Sequence, residues 1–170
     1  AADDAVPDAP DPLGGALSWM ADDEDGGAPT PAAEDPEHDA EMIRARDVQQ
    51  KLLKQAPVLP GYAFATRFES ASEVSGDFYE FIEFDDGRIG FAQGDVSGHG
   101  MQAGLIMSMA KKVLAIYARQ GAPPAEVLAA VNDALAEDLG GKMFVTMTYS
   151  ILDPDERTIT WARAGHSPPI

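Results

Sequence analysis

Two aspartates frame the chemistry available to this sequence: Asp77 in "VSGDFYEF" and Asp95 in "QGDVSGHGMQAG". Between them lies "DDG", Asp85–Gly87. Read as a three-residue hairpin loop with glycine in the left-handed position, this turn pairs Phe84 with Arg88. Paired numbers then sum to 172, and Asp77 falls opposite Asp95. A two-residue loop, Asp86–Gly87, would put Asp77 opposite Val96 and still leave the carboxylates adjacent. Directly opposed Cβ atoms lie about 4.5–5.5 Å apart. Carboxylates that close repel unless one is protonated or a cation lies between them. With no cysteine in the chain, all-oxygen ligation favours Mg²⁺ or Mn²⁺ over zinc. The plainer alternative, two turn or edge carboxylates with no ligand, stays open on pattern alone.

The glycines around Asp95 admit a rival. "GHGMQAG" lies between a strand pattern and a helix pattern, close to a dinucleotide fingerprint. Asp95 would repel a pyrophosphate there. The next strand pattern starts near Met143, too far for a βαβ unit of about 30 residues, and the flanking hairpin is antiparallel. "GDVSG" is not the G-x-S-x-G of a serine nucleophile. Within this loop His99 could orient a phosphate or simply face solvent. His166 in "AGHSPPI" ends a strand near the same place, where a structural hydrogen bond is the expected role, and His38 lies in a linker.

The elements that must position these residues follow from periodicity. "DAEMIRARDVQQKLLKQ", Asp39–Gln55, reads as a helix with Ala45, Val48 and Leu52 on one face and Pro57 as a stop. That stripe could also be half of a short coiled coil, and so of a homodimer. From Gly61 the period becomes two, and "YAFATRF" predicts a strand with Tyr62, Phe64, Thr66 and Phe68 on one face. "DFYEFIEF" and "RIGFAQGD" predict the hairpin around "DDG". Gln102–Gln120 predicts a helix with Leu105, Met109, Val113 and Ile116 inward. Pro124–Leu139 predicts another, with Leu128, Val131, Leu135 and Leu139 inward and Gly140–Gly141 as its end. "KMFVTMTYSILD" alternates, with Met143, Val145, Met147, Tyr149 and Ile151 opposite Thr146, Thr148 and Ser150. "PDERT" turns it into "ITWARAG". Packing explains the methionines at 101, 107, 109, 143 and 147. Hairpins with helices layered on the sheet make an α+β domain.

Charge is uneven. Residues 1–40 hold twelve acids and no Lys or Arg, while the rest hold 17 acids and 12 bases. Residues 1–38, rich in Ala, Pro, Gly and acids, read as a disordered linker, in which "ALSWM" could be a short docking element. Residues 39–57 are the linker helix and 58–170 the folded domain. The acidic balance argues against nucleic acid, whose phosphates need Lys and Arg, and against anionic membranes. No apolar run reaches the ~18–20 residues of a membrane span. No signal peptide is visible, and a cytoplasmic location is expected. Both ends read as cuts within a longer protein.

"SEVSGDFYEF", "GDVSGHGMQAGLIMSM", "KMFVTMTYSILD" and "ARAGHSPPI", in this order and spacing, resemble bacterial PPM-type serine/threonine phosphatases of the sporulation-stage-II-E/RsbU-like branch. "ARDVQQKLLKQAPVLPGY" resembles the helix that precedes such domains. The resemblance covers Asp39 to Ile170 and implies an αββα sandwich, incomplete in this chain, with a two-metal Mn²⁺ or Mg²⁺ site. It matches Asp77 and Asp95 to the family's metal-binding aspartates, adds the backbone carbonyl of Val96, and puts Gly98, His99 and Gly100 in the adjoining loop. It implies hydrolysis of phosphoserine or phosphothreonine by a water activated between metals. The substrate would be a phosphorylated anti-sigma-factor antagonist, and a sensor domain would lie upstream. The helices at 102–120 and 124–139 would be the pair that switches such enzymes. Ser75 stands where the family often has glycine. The later "TDG" motif and further aspartates of the family are not in these residues, so this chain alone is expected to be weak or inactive. A non-catalytic, phosphoprotein-binding signalling or scaffold module is the rival from another class.

Overall fold

The computed structural model describes residues 36–70 and 73–169. The acidic segment and "ALSWM" lie outside the described residues. A helix, α1 (Pro36–Leu52), leads into a hairpin of β1 (Phe78–Glu83) and β2 (Ile89–Val96). Two helices follow, α2 (Gly100–Ala118) and α3 (Pro124–Leu139), and a second hairpin, β3 (Val145–Asp153) and β4 (Thr158–Ala164). The four strands form one antiparallel sheet in the order β1-β2-β3-β4.

The first hairpin follows its turn. Gly87 adopts φ 85°, its N–H donates to Phe84 O at 3.1 Å, and Phe84 N–H donates to Arg88 O at 3.1 Å. Every β1–β2 partner pair, from Glu83↔Ile89 to Phe78↔Gly94, keeps the predicted sum. Alternation then divides the sheet. Phe78, Ile82, Ala92, Val96, Met147, Tyr149 and Ile151 pack under α2 and α3 with Met107, Leu114, Val127, Leu128, Val131 and Leu135. The opposite face carries Tyr79, Phe81, Phe91 and Gln93, and at its far edge the exposed Ile159 and Trp161.

Three expectations fail in informative ways. Residues 63–70 are not a strand; they cross the open face without a ladder, and Phe64 and Phe68 pack edge-on against Phe81, Phe91 and Tyr79. Helix α2 turns Leu105 and Ile116 outward and buries Ala103, Gly104, Ala110, Ala115 and Ala118, because small residues let the helix lie close to the sheet. Met101, expected inside, is exposed as well. Helix α1 begins at Pro36, suited to a first turn, and exposes Val48 and Leu52; the face it buries centres on Gln49.

Gln49 docks through hydrogen bonds. Its Nε2 donates to Ser75 O at 2.7 Å and its Oε1 accepts from Ser75 N–H at 3.0 Å. Beyond the helix end, Lys54 Nζ pairs with Glu80 Oε1 at 2.7 Å and donates to Phe81 O. The other oxygen of Glu80 meets Lys111 Nζ of α2 at 2.6 Å. One buried carboxylate thus ties β1, α2 and the segment after α1 together.

Candidate metal centre

The register that orders the hairpin also orders the site. Val96 N–H donates to Gly76 O at 3.3 Å, two residues past the last strand pair, Phe78↔Gly94. Gly76 and Val96 therefore form a hydrogen-bonded pair, and Asp77 and Asp95 form the next, narrow pair, whose side chains stand closest. Gly76 permits the approach: a Cβ there would sit 2.6 Å from Val96 O. Both aspartates project from the face opposite the helices. Asp95 pairs in turn with Thr146 of β3. Thr146 Oγ1 lies 2.8 Å from His166 Nδ1, so Asp77, Asp95, Thr146 and His166 stand in a row at one end of the sheet. A recess of about 250 Å³ beside the row is lined by Arg67, Glu69, Asp77, Gln93 and His166.

The electrostatics follow from that row. The Asp95 carboxyl is pushed above its ordinary value, by loss of water first and by the facing charge of Asp77 second, with His166 opposing. Among the described residues neither aspartate pairs with Lys or Arg; Arg67, in the same recess, is held by Glu69 at 2.7 Å. Asp77 is held instead by Ser75, whose Oγ donates to Asp77 Oδ2 at 3.2 Å and accepts from Asp77 N–H at 3.0 Å.

The loop after Asp95 turns through left-handed glycines, Gly98 at φ 95° and Gly100 at φ 73°, with His99 exposed between them as the residue before α2. Ser97 anchors it: its N–H donates to Phe144 O and its Oγ accepts from Phe144 N–H, both at 2.9 Å. Opposed carboxylates with no Lys or Arg partner among the described residues, and carboxylate oxygens as donors, fit a hard divalent ion. Among the described residues no group of three or more His, Cys, Asp or Glu converges.

Sequence reasoning singled out Asp77, Asp95 and the glycine loop. It does not reach Gln49 or Thr146, and of Ser75 it notes only the departure from the family's glycine; "VSGD", a hydroxyl two residues before an aspartate, is the one local signal.

The model of the stage II sporulation protein E (SpoIIE) family matches residues 85–170. The chain belongs to the SpoIIE family. Among curated relatives, phosphoserine phosphatase RsbU of Bacillus subtilis (strain 168) is 34% identical over 130 residues, covering 76% of this chain and 38% of that protein. Phosphoserine phosphatase RsbP of the same organism is 27% identical over 134 residues, covering 76% and 33%. Protein IcfG of Synechocystis sp. (strain ATCC 27184 / PCC 6803 / Kazusa) is 25% identical over 156 residues, covering 75% and 25%. The chain thus spans well under half the length of these relatives. The crystal structure of the RsbU and RsbW domains of Rv1364c from Mycobacterium tuberculosis superposes with a TM-score of 0.50 at 29% identity, over 59% of this chain and 28% of that one. The fold is the α+β PPM-phosphatase type of the SpoIIE family, of which these residues build one sheet and its helical layer.

Proposed function

We propose that the full-length protein is a metal-dependent phosphoserine/phosphothreonine protein phosphatase acting in bacterial signalling. The observation that carries the reading is the narrow pair of Asp77 and Asp95 on the open face, with no Lys or Arg paired to it among the described residues. Asp77 and Asp95, with the carbonyl of Val96, would hold Mn²⁺ or Mg²⁺, two ions in the complete domain. When bound, such ions neutralise phosphoryl oxygens and acidify water.

The chain's own residues do the positioning. Ser75 orients the Asp77 carboxylate. Thr146 and His166 brace the strand beside Asp95. The Gly98–His99–Gly100 loop opens next to the pair, where backbone N–H groups and His99 can meet a phosphate. The named activities of RsbU and RsbP support a phosphoserine substrate, and the RsbW domain of the structural neighbour supports a phosphorylated anti-sigma-factor antagonist. An upstream sensor domain and dimerisation through the exposed Val48–Leu52 side of α1 are part of the same proposal. No described helix is long and apolar enough to cross a membrane. These residues alone are expected to turn over phosphate esters weakly or not at all.

The test is hydrolysis of p-nitrophenyl phosphate and of a phosphoserine peptide by the full-length protein with and without Mn²⁺, beside Asp95→Asn. Turnover that needs Mn²⁺ and drops about a thousandfold in the variant, some 4 kcal/mol of barrier, supports the enzyme. No turnover together with no metal binding would leave the phosphoprotein-binding module.

A further inference from the structure

Two helices meet at one backbone segment just ahead of Asp77. From α1, the Gln49 side chain closes a two-bond clamp on the N–H and C=O of Ser75. Both residues are buried, at 5% and 7% exposure, so a broken clamp would strand backbone and amide groups away from water. From α2, Gly104 presents bare backbone to Val74; a Cβ there would overlap the Val74 side chain and come within 3.4 Å of Gln49 Nε2. Ser75 then passes its position on, since its hydroxyl holds both the N–H and the carboxylate of Asp77.

We infer that Gln49 is a positioning residue for Asp77: the seat of α1 against Val74–Gly76 sets the aim of the Asp77 carboxylate and hence the affinity of the site for a divalent cation. The inference rests on the reading of Asp77 as a metal ligand. The amide suits this role because it satisfies the donor and the acceptor of one residue at once, fixing that peptide's direction as a strand partner would. Apolar side chains at position 49 could fill the space but could not orient the segment. The α1 helix is held a second time by Lys54 on Glu80, so losing Gln49 frees the Ser75 segment without releasing the helix end.

The experiment uses the full-length protein with Gln49→Met, which keeps length and volume, Gly104→Ala, which presses on Val74 from the other side, and Gln50→Ala as an exposed control on α1. Hydrogen exchange reads the Ser75 and Asp77 amides, and Mn²⁺ titration by calorimetry reads the site, with Asp95→Asn alongside. The expected result is loss of protection at both amides in Gln49→Met, with Mn²⁺ binding weakened about tenfold, the effect typical of removing a residue that orients a metal ligand. Gly104→Ala should weaken Mn²⁺ binding similarly, and Gln50→Ala should change neither readout. Should Gln49→Met fold poorly, Gly104→Ala alone decides. Lost protection with Mn²⁺ affinity unchanged within about twofold would overturn the inference, leaving Gln49 as an anchor for α1 only. Where wild type binds Mn²⁺ and Asp95→Asn does not, that failure belongs to the inference alone. Where wild type binds no Mn²⁺ although its amides are protected, the metal reading itself has failed and takes the inference with it.

Discussion

Glu80 and the Asp77–Asp95 pair are neighbours along the same hairpin, on opposite faces of the sheet, and they are treated in opposite ways. Glu80 points under the helices, is 4% exposed, and meets two ammonium groups, Lys111 at 2.6 Å and Lys54 at 2.7 Å. A buried carboxylate with its counterions supplied is a structural tie, destructive to break from one side. Asp77 and Asp95 point to the open face and meet each other, with no ammonium or guanidinium supplied among the described residues. The fold neutralises the carboxylate it uses for packing and leaves unneutralised the pair it presents to solvent. An external cation is what would complete the second arrangement.

Changing each side of this contrast should have different consequences. The largest effect is expected from Glu80→Gln. It leaves the Lys111 ammonium, whose pKa burial already lowers despite Glu80, in a dry site without a countercharge. We expect a loss of about 3 kcal/mol, read by urea denaturation. Lys54, on the solvent side of the same carboxylate and 42% exposed, should matter far less: Lys54→Met is expected to cost at most about 1 kcal/mol. A loss as large as that of Glu80→Gln would show that the two lysines share the burden and that the tie is not centred on Lys111.

On the open face the sign reverses. Asp95→Asn removes one of two facing like charges and should stabilise the metal-free protein by about 0.5 kcal/mol at neutral pH. Its pH dependence follows from the raised carboxyl of Asp95. Below the ordinary carboxylate range folded and unfolded states are both protonated, and wild type and variant should differ little. As pH rises through the folded-state value, the unfolded chain ionises more readily than the native one, and wild type loses stability relative to the variant. Melting curves of both proteins between about pH 3 and 7 would reveal the divergence. Parallel curves would mean that Asp77 and Asp95 do not sense each other.

How much of this was legible in the sequence depends on distance along the chain. The facing of Asp77 and Asp95 was legible because a three-residue turn with glycine at position 87 sets the register of everything beyond it. The inward face of α3 was legible because Leu128, Val131 and Leu135 are large and periodic. The inward face of α2 was not, because close packing against the sheet selects Ala and Gly and leaves Leu105 and Ile116 outside, the reverse of what hydrophobicity predicts. The docking of α1 through Gln49 and the Glu80–Lys111 tie were illegible for another reason. Each joins residues 26 to 31 positions apart through polar groups, and no local period marks such partners. Residues 63–70 kept the alternation of a strand while only Phe64 and Phe68 found partners, by stacking across the open face, so period alone did not imply a ladder.

Whether the Asp77–Asp95 pair is incomplete without a cation can be read from the melting temperature of wild type and Asp95→Asn across a Mn²⁺ titration of the full-length protein. The two curves should cross. Without metal the variant melts higher. With Mn²⁺ at about a hundred times the dissociation constant, binding adds about 2.7 kcal/mol to wild type and little to the variant, so the order inverts. Two curves that stay parallel at every Mn²⁺ concentration would contradict it.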